Sequence, residues 1–273
     1  MSSKKWSWVT AVVMVAVLVV SLAVGIWLDQ RERQVEWLGA VEMMEVLPTD
    51  VGDFNYTDLG AYPEGWWNYS EWREHYGEEF LGQTWDKVQG MATCDDRHIW
   101  LWAGDFDLGQ VIDYLGANSV ESYDYGQTDV WKGEYYSTAV VNGIVITGYD
   151  DDVRRCIDAS RGSQNALYDN EDYIGVLGRL PKAKSVGIWS PDYYADVVAM
   201  GEVRDESNGM SIETTVYKCR DAGAAAARVH ETEMAIEKAR QEGELVEDLV
   251  DFKITQDAEY VVYTIERSAS SEG

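Results

Sequence analysis

The sequence is poor in the side chains that hold transition metals. It has three histidines and three cysteines in 273 residues. The cysteines (Cys94, Cys156 and Cys219) form no C-x-x-C pair, and Cys94 with His98 lacks a second ligand pair. A structural zinc site needs four such ligands, and a thioredoxin-type site needs C-x-x-C. The sequence therefore predicts no metal and no cofactor. We expect the cysteines to be buried, inert thiols, although one internal disulfide stays open as an alternative.

Basic residues are also scarce. The chain has 22 Lys and Arg against 49 Asp and Glu, a formal net charge of −27. Nucleic-acid binding depends on Lys and Arg at phosphates, so this composition excludes nucleic acid as a partner. An acidic surface is typical of a soluble or cation-rich setting. The 46% hydrophobic residues supply enough material for a packed core.

No nucleotide-binding loop is present, although one stretch has its glycine spacing. Gly104 to Gln110 reads GDFDLGQ, with Gln where a phosphate loop needs Lys. Asp107 stands directly before apolar residues at helical spacing, so we expect it to cap a helix N-terminus. Asp152 stands in the same position before Val153, and we expect it to cap the next helix. The stretch therefore indicates a strand-to-helix joint and no nucleotide partner.

One long apolar run lies near the N-terminus. Trp8 to Leu28 is 21 residues without a charge, long enough for a helix to cross a bilayer core. Lys4 and Lys5 precede it, which favours a cytoplasmic N-terminus and an exterior remainder. The alternative is a cleaved signal peptide, with Ser21-Leu22-Ala23 as the cleavage site. We expect an uncleaved, single-pass anchor over residues 1–28 in the cell membrane.

The remainder alternates helical and strand patterns. We predict a juxtamembrane helix over 29–50, a first α+β unit over 51–181, a second over 182–267 and a flexible tail over 268–273. Asn142-Gly143 and Asn208-Gly209 lie between apolar runs, the strongest short hairpin signal. Another helix is predicted over Ser70–Phe80. The hairpins make the sheets mainly antiparallel, so the fold class is α+β. Two ferredoxin-like or related α/β sandwich units fit this order, preceded by one transmembrane helix.

Several strings resemble a known group of proteins. They include EVLPTDVGDFNYTDL, GDFDLGQVIDYL, TDVWKG, AVVNGIVITG and LYDNEDYIGVLGRLPKAKSVGIW, between Glu45 and Trp189. The chain resembles bacterial membrane-anchored, extracytoplasmic proteins of unknown function with duplicated ferredoxin-like domains. The resemblance implies a location and a fold, and it implies no activity.

An aromatic run is the best candidate for a binding surface. Its rings are Tyr62, Trp66, Trp67, Tyr69 and Trp72. Aromatic faces stack on sugars and on partner side chains, and Trp and Tyr dominate interface hot spots. We therefore predict a protein or glycan partner here. The alternative is that these rings fill a core beneath a loop.

The acidic residues permit two further hypotheses. Asp150–Asp152 and Asp169–Asp172 supply oxygen atoms for calcium, although not in the spacing of an EF-hand loop. A hydrolase of envelope polymers would use two carboxylates across a cleft, and no nucleophile-elbow motif or other catalytic residue can be named. We therefore favour a non-enzymatic binding or envelope-organising module, with an acidic calcium-binding domain and a hydrolase as alternatives.

Overall fold

The computed structural model describes residues 38–59, 79–181, 183, 185–189, 195–205, 210–242 and 249–268. Its α-helices are α1 (Leu38–Glu45), α2 (Leu108–Asn118), α3 (Asp150–Ser160), α4 (Glu171–Leu177) and α5 (Ala222–Glu242). The first strands are β1 (Asp53–Asp58), β2 (Glu79–Phe80), β3 (Gln83–Thr84), β4 (Val88–Cys94), β5 (Ile99–Gly104), β6 (Glu121–Tyr125), β7 (Thr128–Lys132), β8 (Ser137–Val141) and β9 (Ile144–Gly148). The later strands are β10 (Ser185–Trp189), β11 (Ala195–Asp205), β12 (Met210–Cys219), β13 (Leu249–Asp257) and β14 (Tyr260–Ser268).

Twelve strands form one sheet in the order β13-β14-β12-β11-β10-β1-β4-β5-β9-β8-β7-β6. Every neighbouring pair in it is antiparallel. The predicted α+β class with mainly antiparallel strands is therefore confirmed. At the centre, β1 pairs with β10, so strands from both predicted units belong to the same sheet. The unit boundaries themselves stay a prediction.

The turns follow the local chemistry of their residues. Asn142 and Gly143 have φ of 53° and 83° between β8 and β9, the positive pair that a tight hairpin turn requires. The hairpin predicted there is confirmed. β11 and β12 also pair as predicted, from Asp205 opposite Met210, while Asn208-Gly209 lies outside the described residues.

One face of the sheet, here called the helical face, is covered by α1, α3 and α4. The α1 side chains Met43 and Met44 are fully buried, and Gly39 lies directly over the Tyr56 ring. The helix α3 packs on β8 and β9 through Cys156 and Ile157, and α4 packs on β11 and β12. This face holds most of the apolar core.

The other face, here called the open face, is covered only near its two ends by described helices. Val111 and Leu115 of α2 pack over Trp102 and Val145, on β5 and β9. The helix α5 packs over β12, β13 and β14, with Ala225 against Tyr263. Between these helices lie β1, β10 and β11, where the open face forms a groove.

All three cysteines are buried and free, as predicted. Burial raises the pKa of the Cys94 and Cys156 thiols well above the usual range. The thiolate is the reactive form, so these thiols are inert.

The joint at GDFDLGQ is a helix cap, as predicted. The Asp107 carboxylate accepts hydrogen bonds from the backbone N–H groups of Gly109 (3.1 Å) and Gln110 (3.3 Å) at the start of α2. At Gly104 a Cβ would lie 1.9 Å from the Lys87 carbonyl oxygen, so only glycine allows β4 and β5 this approach.

Two local predictions are wrong. Asp152 does not cap α3, because Tyr149 occupies the N-cap position and the helix begins at Asp150. Asp152 lies in the first turn instead, beside Arg155. Glu79–Phe80 was expected to end a helix but forms β2, because Leu81 and Gly82 adopt positive φ and turn the chain back to β3.

The predicted anchor, residues 1–28, lies outside the described residues, as do most of the juxtamembrane helix and the tail. Of the helices that the structure describes, none combines the length and apolar character that crossing a membrane requires.

The cap predicts a specific loss of stability. Asp107→Ala should lower the free energy of unfolding by about 1 kcal/mol, because two N–H groups of α2 lose their acceptor. Urea denaturation measures this change. Asp105→Ala is the matched control: its carboxylate is 81% exposed and 4.0 Å from Lys87 Nζ, so it should cost less than about 0.5 kcal/mol. Equal losses in the two variants would contradict the capping role.

Candidate functional site

The predicted aromatic surface lies outside the described residues. Residues 60–78 contain all five of its rings, Tyr62, Trp66, Trp67, Tyr69 and Trp72. Their role as a binding surface stays a prediction. The described residues present a different site, which composition and spacing did not indicate.

This site is a groove of about 450 Å³ on the open face. Strands β1, β4, β5, β10, β11 and β12 supply its lining. The lining side chains that matter below are Asn55, Thr93, Trp100, Trp189, Met200, Glu202 and Glu213. The groove thus lies where strands of both predicted units meet.

Small side chains in one cross-strand row explain why the groove exists. Trp100, Thr93, Asn55, Gly187 and Met200 are successive partners across β5, β4, β1, β10 and β11. Partners directly opposite in antiparallel strands lie on the same face. Three small residues therefore form a floor between the larger side chains of the tryptophan and the methionine.

Gly187 is the most constrained position of the floor. A Cβ there would lie 3.0 Å from Asn55 Oδ1 and 3.3 Å from the ring of Trp189. The absent side chain leaves room for that ring on the same face. Trp189 is half-buried and Met200 is 39% exposed, so apolar surface stays accessible in the groove.

An aromatic cluster continues from one end of the groove. It consists of His98, Trp100, Tyr136 and Tyr149. The Trp100 and Tyr136 ring centroids are 5.0 Å apart at 75°, and those of His98 and Tyr149 are 5.4 Å apart at 82°. Such edge-to-face pairs stabilise each other while their outer edges remain available. Tyr149 is 47% exposed and Tyr136 is 37% exposed.

The chain order hid this cluster. Its members come from the start of β5, the approach to β8 and the end of β9. The available signal was the β8–β9 hairpin, because its closed register places Ser137 opposite Gly148 and so brings the preceding and following tyrosines together.

The groove is acidic. Glu202 and Glu213 lie directly opposite each other on β11 and β12, both half-buried, and Asp95 lines the groove from the end of β4. Among the described lining residues there is no Lys or Arg. A cleft lined by one sign of charge concentrates ligands of the other sign.

A second carboxyl group, Asp53, marks the end of the groove nearest Trp189. Its oxygens accept hydrogen bonds from the backbone N–H groups of Asp95 (3.1 Å) and Asp96 (3.2 Å), and from Asn55 Nδ2 (3.3 Å). Burial and the neighbouring Asp96 carboxyl raise the pKa of Asp53, and the backbone N–H bonds oppose that rise. Asp53 thus holds the short helical turn at Asp95–Arg97 against β1.

The acidic residues considered for calcium have other contacts. Asp150 accepts hydrogen bonds from the hydroxyls of Tyr123 (2.7 Å) and Ser137 (2.9 Å). Asp172 forms an ion pair with Lys218. Within the described residues, no three His, Cys, Asp or Glu side chains come together in a group that could hold a metal ion.

Comparison with known proteins gives distant similarity. No family model matches the chain. The uncharacterized protein MJ0635 of Methanocaldococcus jannaschii is 23% identical over 249 residues, covering 83% of this chain and 86% of that protein. Crystal form I of TP0453 has a TM-score of 0.48 at 7% identity, over 83% of this chain and 93% of that one. Crystal form IV of TP0453 has a TM-score of 0.46 at 8% identity, over 85% and 95%.

The contacts of Asp150 predict a pH-dependent stability. Burial works against its charge, but the two hydroxyls and the cations of Lys132 and Arg154 hold the pKa of Asp150 below its usual value. A lowered pKa contributes stability above the unfolded value and loses it as the pH falls through the folded value. Near neutral pH, Asp150→Asn should therefore cost about 1–2 kcal/mol in urea denaturation.

The difference from the unmodified protein should shrink below about pH 4, where the carboxyl of the unfolded chain also takes up a proton. Asp113→Asn, on the exposed side of α2, is the control and should change stability little at any pH. A cost for Asp150→Asn that stays constant down to about pH 3 would contradict this role.

Proposed function

We propose that the protein is a membrane-anchored, extracytoplasmic binding module that captures its partner without chemically changing it. The apolar run Trp8–Leu28 is the anchor, and the part after it faces the exterior. The observation that carries the binding role is the groove on the open face, with accessible tryptophan rings above a floor of small polar side chains.

The fold supports a further detail of this proposal. The chain after the anchor consists of two ferredoxin-like units, over 51–181 and 182–267, set side by side. The pairing of β1 with β10 supports this arrangement, because a strand of each unit then forms the middle of the sheet. The groove lies along this junction, as ligand sites often do between domains.

The lining chemistry suits a glycan or protein partner. Asn55, Thr93 and Ser185 offer donors and acceptors, and Trp100 and Trp189 offer flat apolar faces. Sugars and extended peptides both combine apolar surfaces with regularly spaced polar groups. The aromatic cluster extends the contact surface beyond the groove.

A hydrolase of envelope polymers is the second candidate. The raised pKa of Asp53, at the end of the groove and beside Asp96, favours it, because catalytic acids often have raised pKa values. However, the three hydrogen bonds that Asp53 accepts already give it a structural role. If the site is hydrolytic, Asp53→Asn should abolish turnover of a polymer that the unmodified protein cleaves.

Binding through the groove is testable by substitution. On an array of soluble glycans and peptides, Trp100→Ala should lose at least about 1 kcal/mol of binding free energy, roughly a fivefold loss of affinity, because the ring lines the groove. Tyr135→Ala is the matched control, since that tyrosine is 75% exposed and does not line the groove. Binding that survives Trp100→Ala unchanged, or release of a cleaved product, would contradict the proposal.

The location is tested independently of the groove. Protease added to intact cells should cleave the part of the chain after residue 28, because the anchor leaves that part outside. Permeabilised cells give the reference for complete cleavage. Protection in intact cells would refute the exterior location and leave the groove's binding role unaffected.

A further inference from the structure

We infer that the groove recognises alkylammonium groups, of the kind carried by lysine side chains and by polyamines. This inference rests on the proposed function, since it specifies the ligand chemistry of the same groove. Three features carry it: the charge of the lining, the spacing of its carboxylates and its aromatic rings.

The lining charge is of one sign. Glu213 and Glu202 are directly opposite on neighbouring strands and only half-exposed. Like charges placed opposite each other in a sheet reduce stability. A cation held between them converts that repulsion into attraction, and partial burial reduces the screening by salt. An anionic polymer would instead meet repulsion along the whole groove.

The carboxylates are separated across the sheet. Asp95 follows from β4, and Glu202 lies on β11, three strand spacings away. At about 4.8 Å per spacing the lateral separation is about 14 Å. A ligand with two or more ammonium groups on a flexible alkyl chain reaches both carboxylate positions, whereas a single small ion reaches one.

The surface between these carboxylates is aromatic and thioether-rich. Trp100 and Trp189 line it together with Met91 and Met200. Tryptophan faces attract ammonium ions electrostatically, and the alkyl segments between ammonium groups pack on apolar side chains. The fold uses the same contact internally, because Lys132 Nζ lies 5.0 Å from the Tyr123 ring centroid and the Arg228 guanidinium lies 4.1 Å from that of Tyr217.

The test is a titration of the full-length protein in a neutral detergent at low ionic strength. Spermine and a tetralysine peptide are added separately, and binding is followed by calorimetry and by tryptophan fluorescence. The two probes share the ammonium chemistry, so their relative affinities distinguish a free polyamine from a lysine-bearing peptide. Both affinities should fall as salt is added.

Glu213→Gln should weaken both probes by about three- to tenfold, because it removes one carboxylate from the groove. Glu121→Gln is the matched control: it removes the same charge from the exposed edge strand β6 and should leave affinity within about twofold. Trp189→Ala should abolish the fluorescence change. Thermal melting of each variant verifies folding, and the conservative glutamine changes carry the conclusion if Trp189→Ala does not fold.

Two results would overturn the inference. Equal weakening by Glu121→Gln and Glu213→Gln would show that only net charge attracts the probes. Binding of a neutral chitin oligosaccharide that depends on Trp100, with no saturable binding of either amine, would refute the ammonium chemistry while leaving the binding function of the groove intact.

Discussion

The pairing of β1 with β10 is the constraint on which the rest of the architecture depends. Five consecutive pairs, from Asp53 opposite Trp189 to Thr57 opposite Ser185, join strands that are far apart in the chain. Without this ladder the sheet would divide into a group ending at β10 and a group beginning at β1. The same ladder sets Asn55 beside Gly187, so the groove floor is a direct consequence of its register.

The fold assigns many of its acidic residues to specific local tasks. Asp107 caps α2, and Asp53 accepts the N–H groups of a helical turn from another strand. Asp50 contacts both Arg97 and Arg155, and so connects the loop before β1 with α3. These contacts use scarce cations and free N–H groups on the helical side. Along the groove, by contrast, the described lining contains carboxylates without a basic residue.

The distribution of helices explains how one sheet serves both stability and binding. The helical face buries Phe54, Leu101 and Ile188 completely, which provides a continuous core beneath the middle strands. With that face secured, the middle of the open face need not be covered by α2 or α5. It can present tryptophan, methionine and small polar side chains instead, a combination that contributes little to stability and much to recognition.

The sequence alone determined the features that depend on neighbouring residues. The cap at Asp107 and the Asn142-Gly143 turn were predictable because their backbone conformations are set within a few positions. The same local rules misplaced the start of α3, because Asp150 engages Tyr123 and Ser137 from the sheet and the helix begins before Asp152.

Only the tertiary structure decided the groove and the aromatic cluster. Glu202 and Glu213 are separated by a hairpin, and Trp100 and Trp189 come from different halves of the chain. A side chain's partners across a sheet depend on register between distant strands, which no local pattern specifies. The physical reason is that strand pairing is a long-range contact, whereas caps and turns are short-range ones.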